Sequence, residues 1–268
     1  MNSVLPPGFA PPAPPSLALG LIGNSAFSAL VDAQGRIVWC CLPRFDGDPV
    51  FNALLQPDPE QAGAFAIEIE NLASSRQWYE ANTAVLRTEL IDREGNGVEI
   101  SDFAPRFTSH FRAFRPMMLV RRVRPIQGSP RIRVSVNPTF DWGRRKAVVT
   151  RGSNHVRYVD DELTLRLNTD APISYILTRQ PFLLSREHNF LLGPDETLHE
   201  GVADTARLFE QETVSYWRRW SQRLAIPLEW QDAVIRAAIT LKLSQFEDTG
   251  AIVAAMTTSL PEAPDSGR

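Results

Sequence analysis

The stretch LRTELIDREGNGVEISDFA at residues 86–104 carries the clearest structural signal in the chain. β-forming residues alternate with polar ones at Leu86, Thr88 and Leu90, and the alternation resumes at Val98 after a Gly-Asn-Gly sequence. Successive side chains of a strand point to opposite faces of the sheet, and a glycine-rich pair of residues favours a tight reversal. The stretch therefore predicts an antiparallel hairpin with one buried face.

The same kind of pattern extends outward from this hairpin. MMLVRRV at 117–123 and RIRVSV at 131–136 alternate apolar and basic residues on either side of a QGSP sequence, as strands with one wet face do. Four further strand-like pieces lie within residues 146–180, namely KAVVTRG, NHVRYVDD, ELTLRLNT and PISYILTRQ. So many short strands predict a mainly β fold, an antiparallel sandwich over residues 17–203.

The spacing of apolar residues changes near Asp204, a candidate N-cap. Apolar residues then recur every three or four positions, which predicts an amphipathic helix over 204–226. A second helix is predicted to begin near Trp230 and to be terminated by Gly250. Two helices after a β-domain predict that residues 227–268 open a helical domain.

Composition excludes several classes of protein. Twenty-eight basic and 31 acidic residues give a net charge of −3, so nucleic acid is not an expected partner. Charged residues interrupt every apolar run before about 18 residues, so no membrane span is expected. Cys40 and Cys41 are adjacent and cannot form an ordinary disulfide, which predicts a reducing, cytoplasmic location. Residues 1–16, with PPGFAPPAPP, predict a proline-rich arm rather than a secretion signal.

Five stretches spread over most of the chain carry a family resemblance: LGLIGNSAFSALVDAQGRIVWCCLPRFDGDPVFNALL at 19–55, VEISDFAP at 98–105, VNPTFDWG at 136–143, YWRRW at 216–220 and AAITLKLSQFEDTGAIVAAMTTSLPE at 237–262. In this order they resemble the bacterial glucoamylase, glucodextranase and trehalase type of glycoside hydrolase (glycoside hydrolase family 15 type). The resemblance implies an antiparallel β-supersandwich at 17–203, a linker helix at 204–226, and from residue 227 the first helix of an (α/α)6 barrel.

The resemblance also implies a role. Members of this family are inverting α-glucoside hydrolases whose general acid and general base are two glutamates much further into the barrel, and no position here matches either motif. The chain is therefore expected to be a non-catalytic N-terminal domain, truncated before the catalytic barrel, which supports that barrel and shapes its sugar pocket. No catalytic residue is assigned, and the chain alone is expected to be inactive because hydrolysis needs both carboxyl groups.

Four residues are candidates for the rim of the substrate pocket. Arg44 and Asp46 lie in the RFDGDP loop, and Thr257 and Thr258 lie in the loop after the first barrel helix. A turn in which the aspartates bond to nearby backbone amides explains the first pair equally well. Capping and turn formation before Pro261 is the alternative for the threonines.

A stand-alone carbohydrate-binding or interaction module is the alternative function. An exposed, coplanar pair of Trp78 and Trp142 would favour that module, whereas burial of both would favour a supporting domain. Five arginines form a basic stripe: Arg121, Arg122, Arg124, Arg131 and Arg133. We expect this stripe to be the exposed face of strands, and contact with anionic sugars or a partner is the alternative. The histidines and cysteines show no metal-ligand spacing, so no metal or cofactor is predicted.

The expected partners follow from this assignment. They are an α-glucoside or glucan substrate in the complete enzyme and the helical catalytic domain. Helices that lack such a domain would leave large apolar faces exposed, which predicts a homodimer of the chain by itself.

Overall fold

Two antiparallel sheets make up most of the chain, in a computed structural model that describes residues 8–9, 18–56 and 61–257. The strands, numbered along the chain, are β1 (Gly20–Gly23), β2 (Ser28–Val31), β3 (Ile37–Leu42), β4 (Asp48–Asn52), β5 (Ala64–Ile69), β6 (Leu72–Tyr79), β7 (Leu86–Asp92), β8 (Gly97–Phe103), β9 (Phe107–Ser109), β10 (Arg112–Phe114), β11 (Leu119–Gln127), β12 (Arg131–Asn137), β13 (Thr139–Phe140), β14 (Arg145–Lys146), β15 (Val148–Arg151), β16 (His155–Val159), β17 (Thr164–Thr169), β18 (Phe182–Leu183) and β19 (His188–Pro194). The helices are α1 (Ile173–Thr178), α2 (Val202–Ser221) and α3 (Gln231–Leu243), with a 3-10 turn at Asp141–Gly143. The prediction of a mainly β, antiparallel fold is confirmed.

The strands are divided between a seven-stranded and an eight-stranded sheet. The first runs β1-β2-β3-β5-β12-β18, with β4 also paired to β3, and the second runs β15-β16-β17-β19-β11-β8-β7-β6. Two short hairpins, β9–β10 and β13–β14, lie outside both sheets. The residues of the predicted proline-rich arm lie largely outside the described residues.

The hairpin predicted at residues 86–104 is confirmed. Strands β7 and β8 pair with Leu86 opposite Asp102 and Leu90 opposite Val98, and the side chains of β7 alternate between buried and partly exposed. The carboxylate of Asp92 accepts hydrogen bonds from the amides of Glu94 and Asn96, at 2.9 and 2.7 Å, and so closes the turn. Gly97, assigned to the turn from the sequence, is the first residue of β8.

Strands also formed at 117–123 and 131–136, but they do not pair with each other. β11 lies in the eight-stranded sheet and β12 in the seven-stranded sheet, so the QGSP sequence carries the chain from one sheet to the other. The expected exposed basic stripe is wrong at Arg121, which is fully buried, and at Arg133, which is 7% exposed. Arg121 points into the space between the sheets because Asp102 on the neighbouring strand pairs with it there.

One hydrophobic core joins the two sheets. Phe65 of the seven-stranded sheet meets Phe190 of the eight-stranded sheet edge to face, with ring centroids 6.0 Å apart. Both rings are fully buried, together with Ile37, Ile67 and Leu167. Each such side chain removed from water stabilises the fold by about 1.5 to 3 kcal/mol before entropy is counted, so this shared core is what holds the sheets together.

The prediction of a strand at PISYILTRQ is wrong, because residues 173–178 form α1. Pro172 lies at the N-cap and Arg179 closes the helix in a left-handed conformation, φ 53°. Ile176 is buried in the core shared by the sheets. Tertiary packing at this position outweighs the β propensity of isoleucine and tyrosine.

Of the two long helices, α2 packs against the outside of the eight-stranded sheet, whereas α3 contacts β1 of the seven-stranded sheet. α2 begins at Val202 after Gly201, so Asp204 lies in the first turn and not at the N-cap. Buried Glu210 accepts a hydrogen bond from Ser101 Oγ at 2.6 Å and forms an ion pair with Arg87 at 2.9 Å. These contacts fix one face of α2 on the sheet.

α3 packs on α2 through Trp217, which is fully buried with Ile235, Ile239 and Leu243. α3 ends at Leu243 and not at Gly250, which lies in a later turn with φ +77°. Within the residues that the structure describes, neither of these helices nor α1 has the length and apolar content needed to cross a bilayer.

Candidate functional site

Three segments that are distant in sequence meet where α3 ends. They are the turn between β1 and β2, the loop at residues 43–48, and the segment at residues 244–257. Six side chains hold the meeting point, and we refer to them as the junction cluster: Asn24, Ser25, Arg106, Arg115, Lys242 and Glu247. This is the part of the fold that brings the predicted site loops together.

Glu247 is the centre of the junction cluster. Its Oε1 accepts a hydrogen bond from Arg106 Nη2 at 2.8 Å, and its Oε2 lies 2.8 Å from Arg106 Nη1. Arg115 Nε lies 3.3 Å from Oε2 and Lys242 Nζ 3.5 Å from Oε1. The hydrogen bond from Arg106, with the three positive charges, lowers the pKa of Glu247 to about 2.

The turn between β1 and β2 supplies the rest of the junction cluster. Ser25, held at φ 67°, donates from Oγ to the carbonyl oxygen of Lys242 at 2.8 Å and accepts from the amide of Glu247 at 3.0 Å. Asn24 Nδ2 donates to the carbonyl oxygens of Pro105 and Pro116, at 3.2 and 2.8 Å. Arg106 Nη1 donates in turn to the carbonyl oxygen of Asn24 at 2.5 Å. The end of α3 is thereby fixed to the sandwich.

The loop at residues 43–48 contains two of the predicted pocket residues. Arg44 and Asp46 form a bidentate pair, with Nε–Oδ1 at 3.0 Å and Nη2–Oδ2 at 2.6 Å, and both side chains are more than half exposed. The hydrogen bond from Arg44 lowers the pKa of Asp46. The Arg44 guanidinium lies 5.5 Å from the ring centroid of Phe246, and Phe45 meets the same ring edge to face at 6.1 Å.

The segment at residues 244–257 contains a third candidate. The indole of Trp39, at the centre of β3, donates to the carbonyl oxygen of Met256 at 2.8 Å. Thr257 follows directly and is partly exposed, while Thr258 lies outside the described residues. The structure therefore brings the Arg44 and Asp46 loop and the Thr257 segment to one surface, through the contacts of Arg44 and Phe45 with Phe246 and of Trp39 with Met256.

Sequence reasoning missed the junction cluster. Arg106 and Glu247 are 141 positions apart, and no local spacing connects them. The Asn24-Ser25 pair reads as an ordinary turn. The sequence offers one indication of the contact between Arg106 and Glu247: each residue lies in or beside a stretch that resembles the same family.

The tryptophan comparison gives neither expected outcome. Trp78 is half-buried on β6, an edge strand of the eight-stranded sheet, and Arg76 covers its ring at 4.5 Å. Trp142 is 37% exposed in the 3-10 turn, which contacts β4 of the other sheet. The two rings therefore lie on elements that contact different sheets.

The described residues hold no group of three His, Cys, Asp or Glu side chains arranged as metal ligands. Cys40 and Cys41 are buried thiols that do not form a disulfide. Burial raises the pKa of the Cys40 thiol, which keeps it in the unreactive protonated form.

Comparison with known proteins identifies the family. A family model described as "Trehalase-like, N-terminal" matches residues 10–175, more than half of the chain. The chain belongs to the trehalase-like N-terminal family. This match includes the sandwich strands through β17, the loop at 43–48 and Arg106 of the junction cluster.

Relatives of this trehalase-like chain extend the similarity through the helices. A protein named Trehalase from Thermoplasma volcanium is 28% identical over 252 residues, covering 91% of this chain and 40% of the relative. A Trehalase from Mycolicibacterium smegmatis is 28% identical over 292 residues, covering 96% and 42%. Trehalase 1 from Sulfolobus acidocaldarius is 29% identical over 255 residues, covering 93% and 41%. The chain thus spans about two fifths of the length of the curated relatives it matches.

Proposed function

We propose that this chain is the N-terminal, non-catalytic domain of an inverting α-glucoside hydrolase of the glucoamylase or trehalase type, with trehalose as the favoured substrate. The relatives named trehalase support the substrate. The sandwich would be a β-supersandwich, and α3 the first helix of an (α/α)6 catalytic barrel. In this role the domain supports the barrel and shapes the entrance to its sugar pocket.

The observation that carries this proposal is the junction cluster. It clamps the end of α3 and residues 244–257 to the sandwich through Ser25, Arg106 and Glu247. If a helical domain continued from this segment, the attachment would fix its position relative to the loop at 43–48. Rigid support of this kind is what a substrate pocket built at a domain boundary needs.

Two carboxyl groups at this surface, those of Glu247 and Asp46, are poor candidates for the general acid, which supports the non-catalytic role. A general acid must still hold its proton near the working pH, so its pKa is normally raised. Arg106 instead lowers the pKa of Glu247 to about 2, and Arg44 lowers the pKa of Asp46.

An apolar surface around α3 supports a helical domain as its partner. Leu228 is 92% exposed, Trp230 79%, Leu241 58% and Ile252 61%. Side chains of this type and number on one short region favour a covering partner.

We infer that in the absence of the helical domain two copies of the chain pair through this surface, which light scattering of the chain with and without Leu241→Glu would test. A chain that remained monomeric at high concentration would contradict the pairing.

The proposed location is a reducing, cytoplasmic compartment. Its support is that the two buried cysteines remain thiols and do not form a structural disulfide.

Glucose release tests the proposed function. Trehalose, maltose and isomaltose would be incubated with the 268-residue chain and, if its gene encodes a following helical region, in parallel with the full-length product that includes this region. We expect release from trehalose by the full-length product and none by the chain. Release by the chain alone would place catalytic carboxyls within it, and a full-length product inactive on all three sugars would remove the hydrolase assignment.

A further inference from the structure

A cleft lies at the edge of the seven-stranded sheet, between α1, β18 and the start of β12. Its volume is about 500 Å3, within the range of about 300 to 1,000 Å3 that small-molecule sites occupy. Six of its lining residues carry the argument, and we call them the Tyr175 cleft: Arg131, Asp170, Tyr175, Phe182, Arg186 and His188. Nothing in the proposed function uses this cleft.

Tyr175 gives the cleft a rigid aromatic surface. Its ring stacks on buried Phe182, with centroids 5.7 Å apart and planes 16° apart, yet 40% of the residue remains exposed. Ile176, the next residue, is buried and holds α1 against the core. The ring is therefore held in one position before any ligand arrives, which reduces the entropy that binding would cost.

Asp170 gives the cleft a fixed acceptor. Its Oδ1 accepts from the amide of Asn189 at 2.8 Å and lies 3.3 Å from Nδ1 of buried His188, and its Oδ2 accepts from Asn189 Nδ2 at 3.0 Å. Burial acts to raise the pKa of Asp170, but the hydrogen bonds from His188 and Asn189 outweigh it and lower the pKa. The carboxylate is thus ionised and held in place while 19% of its side chain remains exposed.

Arg186 gives the cleft a donor. Its Nη2 lies 3.3 Å from the carbonyl oxygen of Asp170. Among the residues that the structure describes, no carboxylate forms an ion pair with Arg186, whereas Arg131 across the cleft is paired with Glu70 at 3.0 Å. The Arg186 guanidinium can therefore donate to a ligand without first breaking an ion pair with a described residue.

We propose that the Tyr175 cleft binds a neutral pyranose sugar. A pyranose ring has a face of C–H groups, which pack on an aromatic ring, and hydroxyl groups that both donate and accept hydrogen bonds. Tyr175 provides the ring surface, Asp170 accepts from one hydroxyl and Arg186 donates to another. A strongly anionic ligand would meet the charge of Asp170, and a cation would meet Arg186 and Arg131.

Titration of the 268-residue chain with maltose and with trehalose tests this site. Binding would be measured by isothermal titration calorimetry and by the chemical shifts of the backbone amides in NMR spectra. We expect saturable binding with shifts at residues 170–188. Tyr175→Ala should weaken binding about tenfold, whereas Tyr175→Phe should keep it, because the ring and not the hydroxyl makes the stacking contact. Trp142→Ala, at an exposed aromatic elsewhere, is the matched control and should leave binding unchanged.

Arg186→Gln protects the test against a folding artefact. Arg186 is exposed, so this variant should keep the unfolding midpoint of the parent chain and still lose affinity for the sugar. No saturation with either sugar, equal affinity in Tyr175→Ala and the parent, or tighter binding of glucuronate than of glucose would each overturn the proposal. The choice of glucose-containing probes rests on the proposed function. The sugar site and the proposed function can nevertheless be tested independently. Sugar binding is measured without hydrolysis, and hydrolysis is measured without the cleft variants.

Discussion

Two arginine–carboxylate pairs in this domain have the same chemistry but opposite surroundings. Arg121 and Asp102 lie between the sheets, and both side chains are fully buried, with Nε–Oδ1 at 2.7 Å and Nη2–Oδ2 at 3.0 Å. Arg106 is also buried, but Glu247, its partner in the junction cluster, keeps 31% of its side chain exposed. Solvent reaches one pair and not the other.

The pKa values of the two carboxyls move in opposite directions as a result. Burial raises the pKa of Asp102 even though Arg121 acts to lower it, whereas the hydrogen bond from Arg106 lowers the pKa of Glu247 to about 2. The loss of hydration dominates for Asp102, and the attraction dominates for Glu247. A buried pair is therefore costly to break, because the remaining partner would be a buried charge without a counter-ion, while a half-exposed pair contributes a smaller, pH-dependent stabilisation.

Breaking the buried pair should have the largest effect. Arg121→Met leaves Asp102 without its counter-ion and removes the donors to the carbonyl oxygens of Phe65 and Gly35. We expect a loss of about 3 to 5 kcal/mol in the free energy of unfolding, measured by urea denaturation. The double variant Arg121→Met with Asp102→Leu is the control and should recover part of that loss, because no unpaired charge remains. A loss below about 1 kcal/mol in the single variant would show that water reaches the pair.

The junction cluster should respond less and should depend on pH. Glu247→Gln removes the charge that Arg106, Arg115 and Lys242 share, and we expect a loss of about 1 kcal/mol at pH 7 because solvent screens part of the attraction. The folded-state pKa of about 2 lies below the ordinary value of 4.5. The stabilisation is therefore present above pH 4.5 and is lost as the pH falls toward 2, so parent and variant should converge there.

Amide hydrogen exchange can show which segment is destabilised when Glu247 loses its charge. Amides of residues 244–253 should exchange faster in Glu247→Gln while those of β7 and β8 do not, because the cluster tethers the segment and not the sheet. Asp248→Asn is the matched control, since Asp248 is also paired with Arg115 but its side chain is 57% exposed. Equal acceleration in both variants would contradict a specific role for Glu247.

The sequence alone predicts the features that depend on neighbouring residues. The hairpin of β7 and β8 follows from alternation over 86–104, and α2 follows from apolar residues at helical spacing. Both patterns are set by a few consecutive positions. The structure shifts their ends by a few residues: Gly97 is the first residue of β8, and α2 begins at Val202, two residues before Asp204.

Features that depend on distant partners could not be predicted in this way. Residues 173–178 have strand-forming composition, but Ile176 is buried where a helix fits against β12. Arg121 reads as an exposed strand residue until Asp102 is placed beside it. The junction cluster joins residues 24, 106 and 247, which no local pattern connects. The loop at 43–48 was found because its motif resembles a family, and its Arg44–Asp46 pair was not foreseen.

The smallest effect on stability is expected at the loop at 43–48, because its Arg44–Asp46 pair is more exposed to solvent than either pair discussed above. Asp46→Asn removes a pair whose side chains are both more than half exposed, so the urea midpoint should not change. Asp204→Asn is the matched control, because Asp204 pairs with Arg207 at 2.7 Å at similar exposure on α2. If the proposed function holds and the loop borders the sugar pocket, Asp46→Asn in a chain extended by the catalytic domain should raise the KM for trehalose about tenfold, with kcat less affected, through a lost hydrogen bond to a charged group. Equal KM values for the two variants would assign the loop to turn formation alone, because the same exposed pair would then matter as little here as on a helix surface.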